Sequence, residues 1–364
     1  MSNAKNFMCD MLYNPTDEIY AENIRQFQGC PTIAITKGGR IYMGWYSGGR
    51  CEPHIENYNI LVYSDDDGKT WSAPLLIIPS CKERLVQALD IQLWISPEGK
   101  LYVFWVQNNV IVDDGITKGH AIIDGYIFND TVHAAWLSVC DDPDAENPVF
   151  SQGRCWDQGF LRCKPLVMSN GNWLLFNYDQ TQDRYGYSIS EDQGKTFQRY
   201  YGANKQDVYH DEVMAYEKED GSIRMLARCT LGELAEATSF DFAKTWTESK
   251  LTGIPTPDSR LYVSRTPSGR VLLVNNDHSK RRCNMTVYLS EDDGVTWKYK
   301  RCLDTRNDLS YPDVDFYNGK IYLTYDRERC GAREILLTVF TEEDIMDSSR
   351  PIDIAIISKP DQSL

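Results

Sequence analysis

An acidic turn recurs along the chain, and its residue types could bind a cation. It reads SDDDGKTWS from Ser64, SEDQGKTFQ from Ser190 and SEDDGVTWK from Ser290, with a degenerate copy, SFDFAKTWT, from Ser239. Carboxylates at this density suit calcium, but each copy lacks the further oxygen ligands that a calcium loop supplies. We therefore interpret the turn as structural: the aspartate and hydroxyl side chains bond backbone N–H groups, the glycine adopts a positive φ, and the aromatic ring packs on a neighbouring sheet.

Between these turns the sequence consists of short segments rich in β-branched and aromatic residues. Six pairs of segments each surround a glycine-containing turn, as in PTIAITKGGRIYMGWYS and RLYVSRTPSGRVLLVNN. This pattern is typical of β-hairpins. Only TEEDIMDS is helix-like, and no long amphipathic helical pattern is found. The predicted fold class is therefore all-β.

The spacing of the acidic turns predicts a repeat. The turn at Ser190 lies 49 residues before that at Ser239 and 126 residues after that at Ser64, while Ser290 follows Ser239 by 51 residues. A unit of about 50 residues with four strands is typical of a propeller blade. We predict one six-bladed β-propeller domain over residues 1–364, closed by pairing between strands from the two chain ends. A loop-rich insertion in the second blade is expected at 107–160.

Composition disfavours several classes of function. The formal net charge of −15 argues against binding to a phosphate backbone. Eleven cysteines are scattered singly, with no pair at metal-ligand spacing. We expect free thiols in a cytoplasmic compartment and no metal or other cofactor, although a leader removed before this sequence begins would permit secretion. No apolar run reaches the length of a membrane span, so neither a membrane nor a nucleic acid is expected as partner.

The pattern Ser-x-Asp-x-Gly-x-Thr-Trp resembles the Asp-box, or bacterial neuraminidase repeat. Three good copies and one degenerate copy among six hairpins resemble the sialidase superfamily over nearly the whole chain. The resemblance implies a six-bladed propeller whose active site has an arginine triad for the substrate carboxylate, a tyrosine nucleophile with a glutamate partner, and an aspartate acid/base. Asp-boxes also occur in propellers that are not sialidases, so function must be argued from the site residues.

Four residues match the family's site in blade order. DEVMAYEKEDGSIRMLARC resembles the segment in which a glutamate opens a hairpin and an arginine closes it, which implies Glu212 as the tyrosine's partner and Arg228 as the second arginine. RRCNMTVYLSEDDG resembles the segment of the third arginine, Arg282, and SYPDVDFYNGKIYLTYDRER that of the nucleophile, Tyr311. Guanidinium groups can pair with a carboxylate through two hydrogen bonds, and a nearby carboxylate can take the proton of a phenol.

The first blade departs from the family pattern. Gly29 in GCPTIAIT stands near the place of the first arginine, and Arg25, four residues earlier, is the candidate substitute. The segment before the first acidic turn, GGRCEPHIENYN, contains no aspartate. We therefore consider Glu52 or Glu56 first as the proton donor, and then Asp90 in ALDIQLW. A carboxyl in a confined apolar site can act as an acid near neutral pH.

Further polar residues are candidates for the site. His210, directly before Asp211 and Glu212, could act as a base. Residues near hairpin ends could contact sugar hydroxyls: Lys164, Arg260, His278, Asp313 and Arg327. The competing interpretation of each is an ordinary ion pair or a hydrogen-bonded wall residue, in a chain with 53 acidic side chains.

The sequence thus predicts an exo-acting, sialidase-like glycoside hydrolase that cleaves a terminal acidic sugar from a glycan or oligosaccharide. A lyase on uronic acids is one alternative, in which the arginines lower the pKa of the α proton and Tyr311 or His210 removes it. A carbohydrate-binding propeller without turnover is the other alternative, and its binding would persist after Tyr311→Phe.

Overall fold

The computed structural model describes residues 3–118 and 121–360, and the side chains of these except 129–132. Nearly all regular structure in this part of the chain is β-strand, which confirms the predicted all-β class. The chain divides into two compact units. Unit 1 comprises Met1–Leu161, Glu328–Ile335 and Ile356–Leu364, and unit 2 comprises Arg162–Arg327 and Leu336–Ala355.

The first eleven strands belong to unit 1. They are β1 (Leu12–Tyr13), β2 (Phe27–Ile35), β3 (Ile41–Gly48), β4 (Tyr58–Ser64), β5 (Leu76–Pro79), β6 (Val86–Ile95), β7 (Leu101–Val112), β8 (Ala121–Ile123), β9 (Tyr126–Cys140), β10 (Arg154–Gln158) and β11 (Phe160–Leu161). Two antiparallel sheets result, with the strand orders β1-β5-β4-β3-β2 and β10-β9-β7-β6, and β8 pairs with β9. Two 3-10 helices, Glu18–Tyr20 and Glu22–Ile24, precede β2.

The chain continues with fifteen strands in unit 2. They are β12 (Leu166–Val167), β13 (Trp173–Leu175), β14 (Asn177–Tyr178), β15 (Arg184–Ser190), β16 (Gln198–Asn204), β17 (Val213–Glu217), β18 (Ile223–Ala227), β19 (Glu233–Ser239), β20 (Lys250–Pro255), β21 (Tyr262–Arg265), β22 (Val271–Asn276), β23 (Cys283–Ser290), β24 (Tyr299–Asn307), β25 (Leu309–Tyr317) and β26 (Lys320–Arg327). After them come β27 (Glu334–Phe340), helix α1 (Glu342–Met346) and β28 (Ile354–Ser358).

Four further sheets follow in sequence order. Their strand orders are β12-β13-β15-β16, β17-β18-β19-β20, β21-β22-β23-β24 and β25-β26-β27-β28. With the two sheets described above, the described residues include six sheets of four or five strands. Each sheet comes from one continuous stretch of chain, which is how the blades of a propeller are built.

One detail of the predicted architecture is wrong, the closure by pairing between strands from the two chain ends. In the described part of the chain, β1 pairs with β5 and β28 with β27, so the strands at the two chain ends join different sheets. Each covers the edge of its neighbour, β5 or β27, within its own sheet. The described residues of 107–160 include the end of β7, the strands β8, β9 and β10, and the loops between them.

Each unit has its own apolar core. In unit 1, Trp105 stacks on Trp136 with ring centroids 6.1 Å apart, within a cluster that includes the fully buried Leu93 and Val103. In unit 2, strands β21 to β23 supply the centre of a larger cluster. Burying one such large side chain stabilises the fold by roughly 1.5–3 kcal/mol. The alternating apolar residues of the hairpins place many such side chains in the cores, and their burial stabilises the sheets.

The four acidic turns have one common geometry. In the copy at Ser64, Asp66 accepts hydrogen bonds from the Thr70 backbone N–H at 2.8 Å and from its hydroxyl at 2.6 Å. The aspartates of the other three copies accept the equivalent two bonds at the same distances. The threonine hydrogen bonds lower the pKa of Asp66 to about 2. These internal bonds support the interpretation of the turn as structural.

All eleven cysteines are free thiols. Within the described residues, no helix has both the length and the apolar composition needed to cross a membrane.

Candidate active site

Tyr311 lies in a β-bulge of β25. The register between β25 and β26 shifts between Ser310 and Asp313, and Tyr311 adopts a φ of 57°. A positive φ is unfavourable for a bulky residue and persists only where the surrounding structure enforces it, frequently at functional sites. A bulge also re-aims the side chain it carries. The Tyr311 side chain is buried, so its position is fixed by both backbone and packing.

A similar bulge occurs in β2 and in β6, one strand of each sheet of unit 1. The pairing of β2 with β3 shifts register at Cys30, whose φ is 57°, and that of β6 with β7 shifts at Asp90, whose φ is 61°. The edge strands β2, β6 and β25 of three sheets therefore carry Cys30, Asp90 and Tyr311 at corresponding positions. Among the predicted proton donors, only Asp90 occupies this special position of the repeat.

Glu212 and Arg228 meet Tyr311 in unit 2. Val213 pairs with Ala227 in the hairpin of β17 and β18, so the flanking Glu212 and Arg228 are neighbours. The Tyr311 hydroxyl donates to Oε1 of Glu212 at 2.6 Å, and Nη1 of Arg228 donates to Oε2 at 2.8 Å. Nη1 of Arg228 also lies 3.2 Å from the phenolic oxygen. Three of the four residues matched by resemblance are thus in direct hydrogen-bond contact.

Three more arginines surround the Tyr311 ring. The guanidinium carbons of Arg162, Arg260 and Arg282 lie 4.8, 5.0 and 5.7 Å from the ring centroid. Arg162 also points Nε at Oε1 of Glu212, at 3.4 Å. Arg260 is anchored on the backbone carbonyls of Arg162 and Pro312 at 2.6 and 2.9 Å. Guanidinium groups bind carboxylates through paired hydrogen bonds, so arginines clustered around one phenol suit an acidic ligand.

The electrostatics of the cluster keep Glu212 ionised. Burial of this 1% exposed residue opposes its charge, but Arg228, Arg162 and the Tyr311 hydroxyl together hold its pKa well below the ordinary range. Burial also opposes the charge of Arg228, yet Glu212, Tyr311 and Asp258 raise its pKa above the ordinary value. A carboxylate that stays ionised is able to accept the phenolic proton.

Sequence reasoning missed two residues of this cluster, Arg162 and Asp258. Arg162 lies in the segment LRCKP, where an arginine stands just before the short strand that opens the third blade. Arg260 in DSRLY also stands shortly before the first strand of its sheet, β21, so comparing the openings of the blades would have made Arg162 a candidate. Asp258 gave no signal, because aspartate is common in loops of this acidic chain.

The remaining residues predicted in unit 2 have local partners. Lys164 lies 3.8 Å from Asp313 and donates to the carbonyl of Val314 at 2.6 Å, so these predicted sugar contacts form an internal ion pair. The ring nitrogen Nδ1 of His278 accepts two backbone N–H groups of its own turn, each at 3.0 Å. The His210 ring packs edge-on against Tyr209 at 4.6 Å. Arg327 is half-buried at the end of β26, opposite Leu309.

In unit 1, Arg329 fills the space beside Gly29. A Cβ atom at Gly29 would lie 2.7 Å from Cγ of Arg329. Nη1 of Arg329 donates to Oε2 of Glu52 at 2.8 Å, which engages one predicted proton donor in an ion pair. A carboxylate oxygen of Glu52, a carboxylate oxygen of Asp90 and Sγ of Cys30 lie within 4.8 Å of one another. The family pattern led us to expect an arginine near position 29. Gly29 has no side chain, and the side chain of Arg329, from the segment after β26, lies beside it.

The two other candidates of unit 1 lie beside a separate pocket. Arg25 is buried and donates to the carbonyl of Tyr20 at 3.1 Å and to the hydroxyl of Ser358 at 3.3 Å. Together with the exposed Glu56, it lines a pocket of about 530 Å³. Their roles in substrate binding and proton donation stay predictions.

One family model matches the chain. The match covers residues 39–323 and its description is a BNR repeat-like domain. No curated protein sequence matches the chain significantly.

Solved structures resemble the chain over most of its length. A protein of unknown function from Dyadobacter fermentans is 19% identical, with a TM-score of 0.66 over 89% of this chain and 95% of that one. The NanB sialidase from Streptococcus pneumoniae is 15% identical, with a TM-score of 0.68 over 93% and 71%. The intramolecular trans-sialidase from Ruminococcus gnavus, solved with oseltamivir carboxylate, is 15% identical, with a TM-score of 0.69 over 93% and 98%. At these identities the likeness concerns the fold, and it confirms the predicted six-bladed β-propeller.

Proposed function

The chain belongs to the BNR repeat-like domain family and is a divergent member of the sialidase-like superfamily, and on this premise we propose that it is an exo-acting glycoside hydrolase for a terminal acidic sugar. The observation that carries the proposal is the 2.6 Å hydrogen bond from Tyr311 to Glu212 within a group of arginines. The sialidase-like neighbours support a sugar as ligand.

The arginines select the ligand. Arg228 and Arg282 bind the carboxylate of the sugar, and Arg162 and Arg260 add positive charge around the phenol. Planar guanidinium groups match a carboxylate with two hydrogen bonds, and their charge is not lost at any physiological pH. A neutral sugar offers no negative charge to these guanidinium groups and binds less tightly than a sugar acid.

Tyr311 is the nucleophile. Glu212 accepts the phenolic proton as the tyrosine oxygen forms a bond to the anomeric carbon and the bond to the leaving oxygen breaks. A phenol is neutral before the reaction, so it avoids the repulsion that a carboxylate nucleophile would meet from the sugar's own carboxylate. Tyrosine nucleophiles are a known exception to the two-carboxylate scheme of glycoside hydrolysis.

The proton donor for the leaving oxygen stays a prediction among three carboxyls of unit 1. Glu52 is paired with Arg329 and Glu56 is exposed, whereas Asp90 is 5% exposed and lies in a β-bulge. Asp90→Asn is therefore the first variant to test. A proton donor at this position predicts a larger loss of turnover for sugars with poor leaving groups than for those with a good leaving group such as nitrophenol.

The test is product release from chromogenic glycosides of sialic acid, its deaminated analogue and uronic acids. Wild type should release one acidic sugar, and Tyr311→Phe should release none while still binding it. Tyr216→Phe is the matched control, because Tyr216 is also buried and its hydroxyl bonds the carbonyl of Asp293 at 2.9 Å and Nη1 of Arg224 at 3.2 Å, a different arginine from those around Tyr311. An unsaturated product that absorbs in the ultraviolet would identify a uronic-acid lyase instead. Binding without any product would identify a carbohydrate-binding propeller.

A further inference from the structure

Asp258 contacts both arginines assigned to the substrate carboxylate. It lies in the loop between β20 and β21. Its Oδ1 accepts a hydrogen bond from Nε of Arg228 at 2.5 Å, and its backbone carbonyl accepts one from Nη2 of Arg282 at 2.7 Å. One residue of the chain therefore already uses a donor of each arginine.

These contacts occupy the edges at which a guanidinium binds a carboxylate. Bidentate binding uses either the two Nη groups or Nε with one Nη. In Arg228, Glu212 accepts from Nη1 and Asp258 accepts from Nε. The two carboxylates differ in exposure, since the Glu212 side chain is 1% exposed and that of Asp258 is 45% exposed. Only Asp258 is free to exchange with a ligand from solvent.

We propose that Asp258 is a specificity-determining residue whose carboxylate competes with that of the substrate for Arg228. The inference rests on the proposed function. In the unliganded protein Asp258 occupies the Nε edge of Arg228, and an acidic sugar must displace it to bind. The displaced carboxylate then repels the ligand's charge, so Asp258 lowers the affinity for acidic ligands and has little effect on neutral ones.

A purely supporting role for Asp258 predicts the opposite result. If its ion pair served only to orient Arg228, weakening that pair would weaken ligand binding. Asp258→Asn separates the two roles, because the amide oxygen still accepts from Nε of Arg228 while the competing charge is gone. Asp258→Ala removes both the charge and the hydrogen bond.

The experiment measures binding of N-acetylneuraminate and glucuronate by calorimetry to the full chain, with glucose as the neutral sugar. We expect Asp258→Asn to bind the sugar acid that wild type binds about three- to tenfold more tightly at 0.1 M salt, since a partly exposed ion pair is worth up to about one factor of ten. With a substrate in hand, KM should fall and kcat should stay constant. Asp124→Asn is the matched control, because Asp124 pairs with Arg50 at 2.9 Å and is 52% exposed; it should change nothing.

Equal or weaker binding of the sugar acid by a folded Asp258→Asn would overturn the inference, while release of sugar by wild type would leave the proposed function standing. A melting temperature measured for each variant identifies misfolding, and a misfolded Asp258→Asn would itself support the structural role. If neither wild type nor Asp258→Asn binds either acid, the proposed function and the inference fail together.

Discussion

The phenolic hydroxyl of Tyr311 donates to Oε1 of Glu212 at 2.6 Å, although 99 residues separate the two along the chain. The second oxygen of Glu212 is held by Arg228 at 2.8 Å, so the acceptor cannot turn away from the phenol. A proton acceptor fixed in this way needs no reorganisation when the phenol reacts, which is where preorganised polar groups contribute most. The arginines of the cluster lie around this hydrogen-bonded pair.

Arg162 should control the acidic limb of the pH–activity profile. It lies 3.4 Å from Glu212 and is one cause of its lowered pKa. In Arg162→Gln the pKa of Glu212 should rise towards the ordinary range, so Glu212 becomes protonated at higher pH than in wild type. Since the ionised form accepts the proton, the acidic limb of kcat/KM should move to higher pH, while at pH 7, well above the ordinary glutamate pKa of about 4.3, Glu212 stays ionised in both proteins.

The measurement is a profile of kcat/KM from pH 4 to 8. Arg199→Gln is the matched control, because Arg199 lies in the same unit, 5.2 Å from the ring of Tyr201, and donates to the carbonyl of Asn177 at 2.9 Å. An acidic limb that stays in place in Arg162→Gln would show that Arg162 does not tune Glu212.

The hairpins and acidic turns could be predicted from sequence because their signals are local. Alternating apolar residues and the Ser-x-Asp-x-Gly pattern fix strands and turns within about ten residues. Glu212, Arg228 and Tyr311 could be located because each stands at a recognisable end of a hairpin, and the structure brings them together. The resemblance implied their roles and their order along the chain, and the hairpin pattern located each of them within its segment.

The bulges and the arginines beyond the matched set could not be predicted in the same way. A positive φ is read from sequence through glycine or asparagine, but here the residues are Cys30, Asp90 and Tyr311. Tertiary packing imposes the positive φ at these residues, so the local sequence does not predict it. Arg329 was missed for a related reason, because a contact between it and Gly29 depends on how distant strands meet.

Gly29 and Arg329 should be energetically coupled. A methyl group at position 29 would meet Cγ of Arg329 at 2.7 Å, closer than packed atoms tolerate, and Arg329 would have to leave its ion pair with Glu52. Gly29→Ala should lower the free energy of unfolding by about 1–3 kcal/mol, the usual cost of overpacking. Arg329→Ala alone should cost at most about 1 kcal/mol, because its ion pair is partly exposed.

A double-mutant cycle measures this coupling by urea unfolding. In the Gly29→Ala, Arg329→Ala double variant the clash is absent, so the combined loss should be smaller than the sum of the two single losses. Additive losses would mean that the alanine methyl is accommodated by backbone movement and that Arg329 is not what requires glycine at position 29.

Asp211 should make the stability of unit 2 fall as pH rises from 4.5 to 7. Burial raises the pKa of this carboxyl to about 6, although Lys205, 2.9 Å away, partly opposes the shift. Because the folded pKa lies above the unfolded value of about 3.9, the folded state favours the protonated form. The contribution of that form is complete below pH 4 and is lost as pH rises through about 6.

Asparagine at position 211 mimics the protonated carboxyl at every pH. The free energy of unfolding of Asp211→Asn, relative to wild type, should therefore increase between pH 4.5 and pH 7, by about 1–3 kcal/mol in total. Urea titrations at half-unit pH steps measure the difference directly. Asp220→Asn is the control, because hydrogen bonds from Ser222 lower the pKa of Asp220 to about 2, so it does not titrate in this range. Parallel stability curves for wild type and Asp211→Asn would mean that the Lys205 ion pair fully offsets the burial of Asp211.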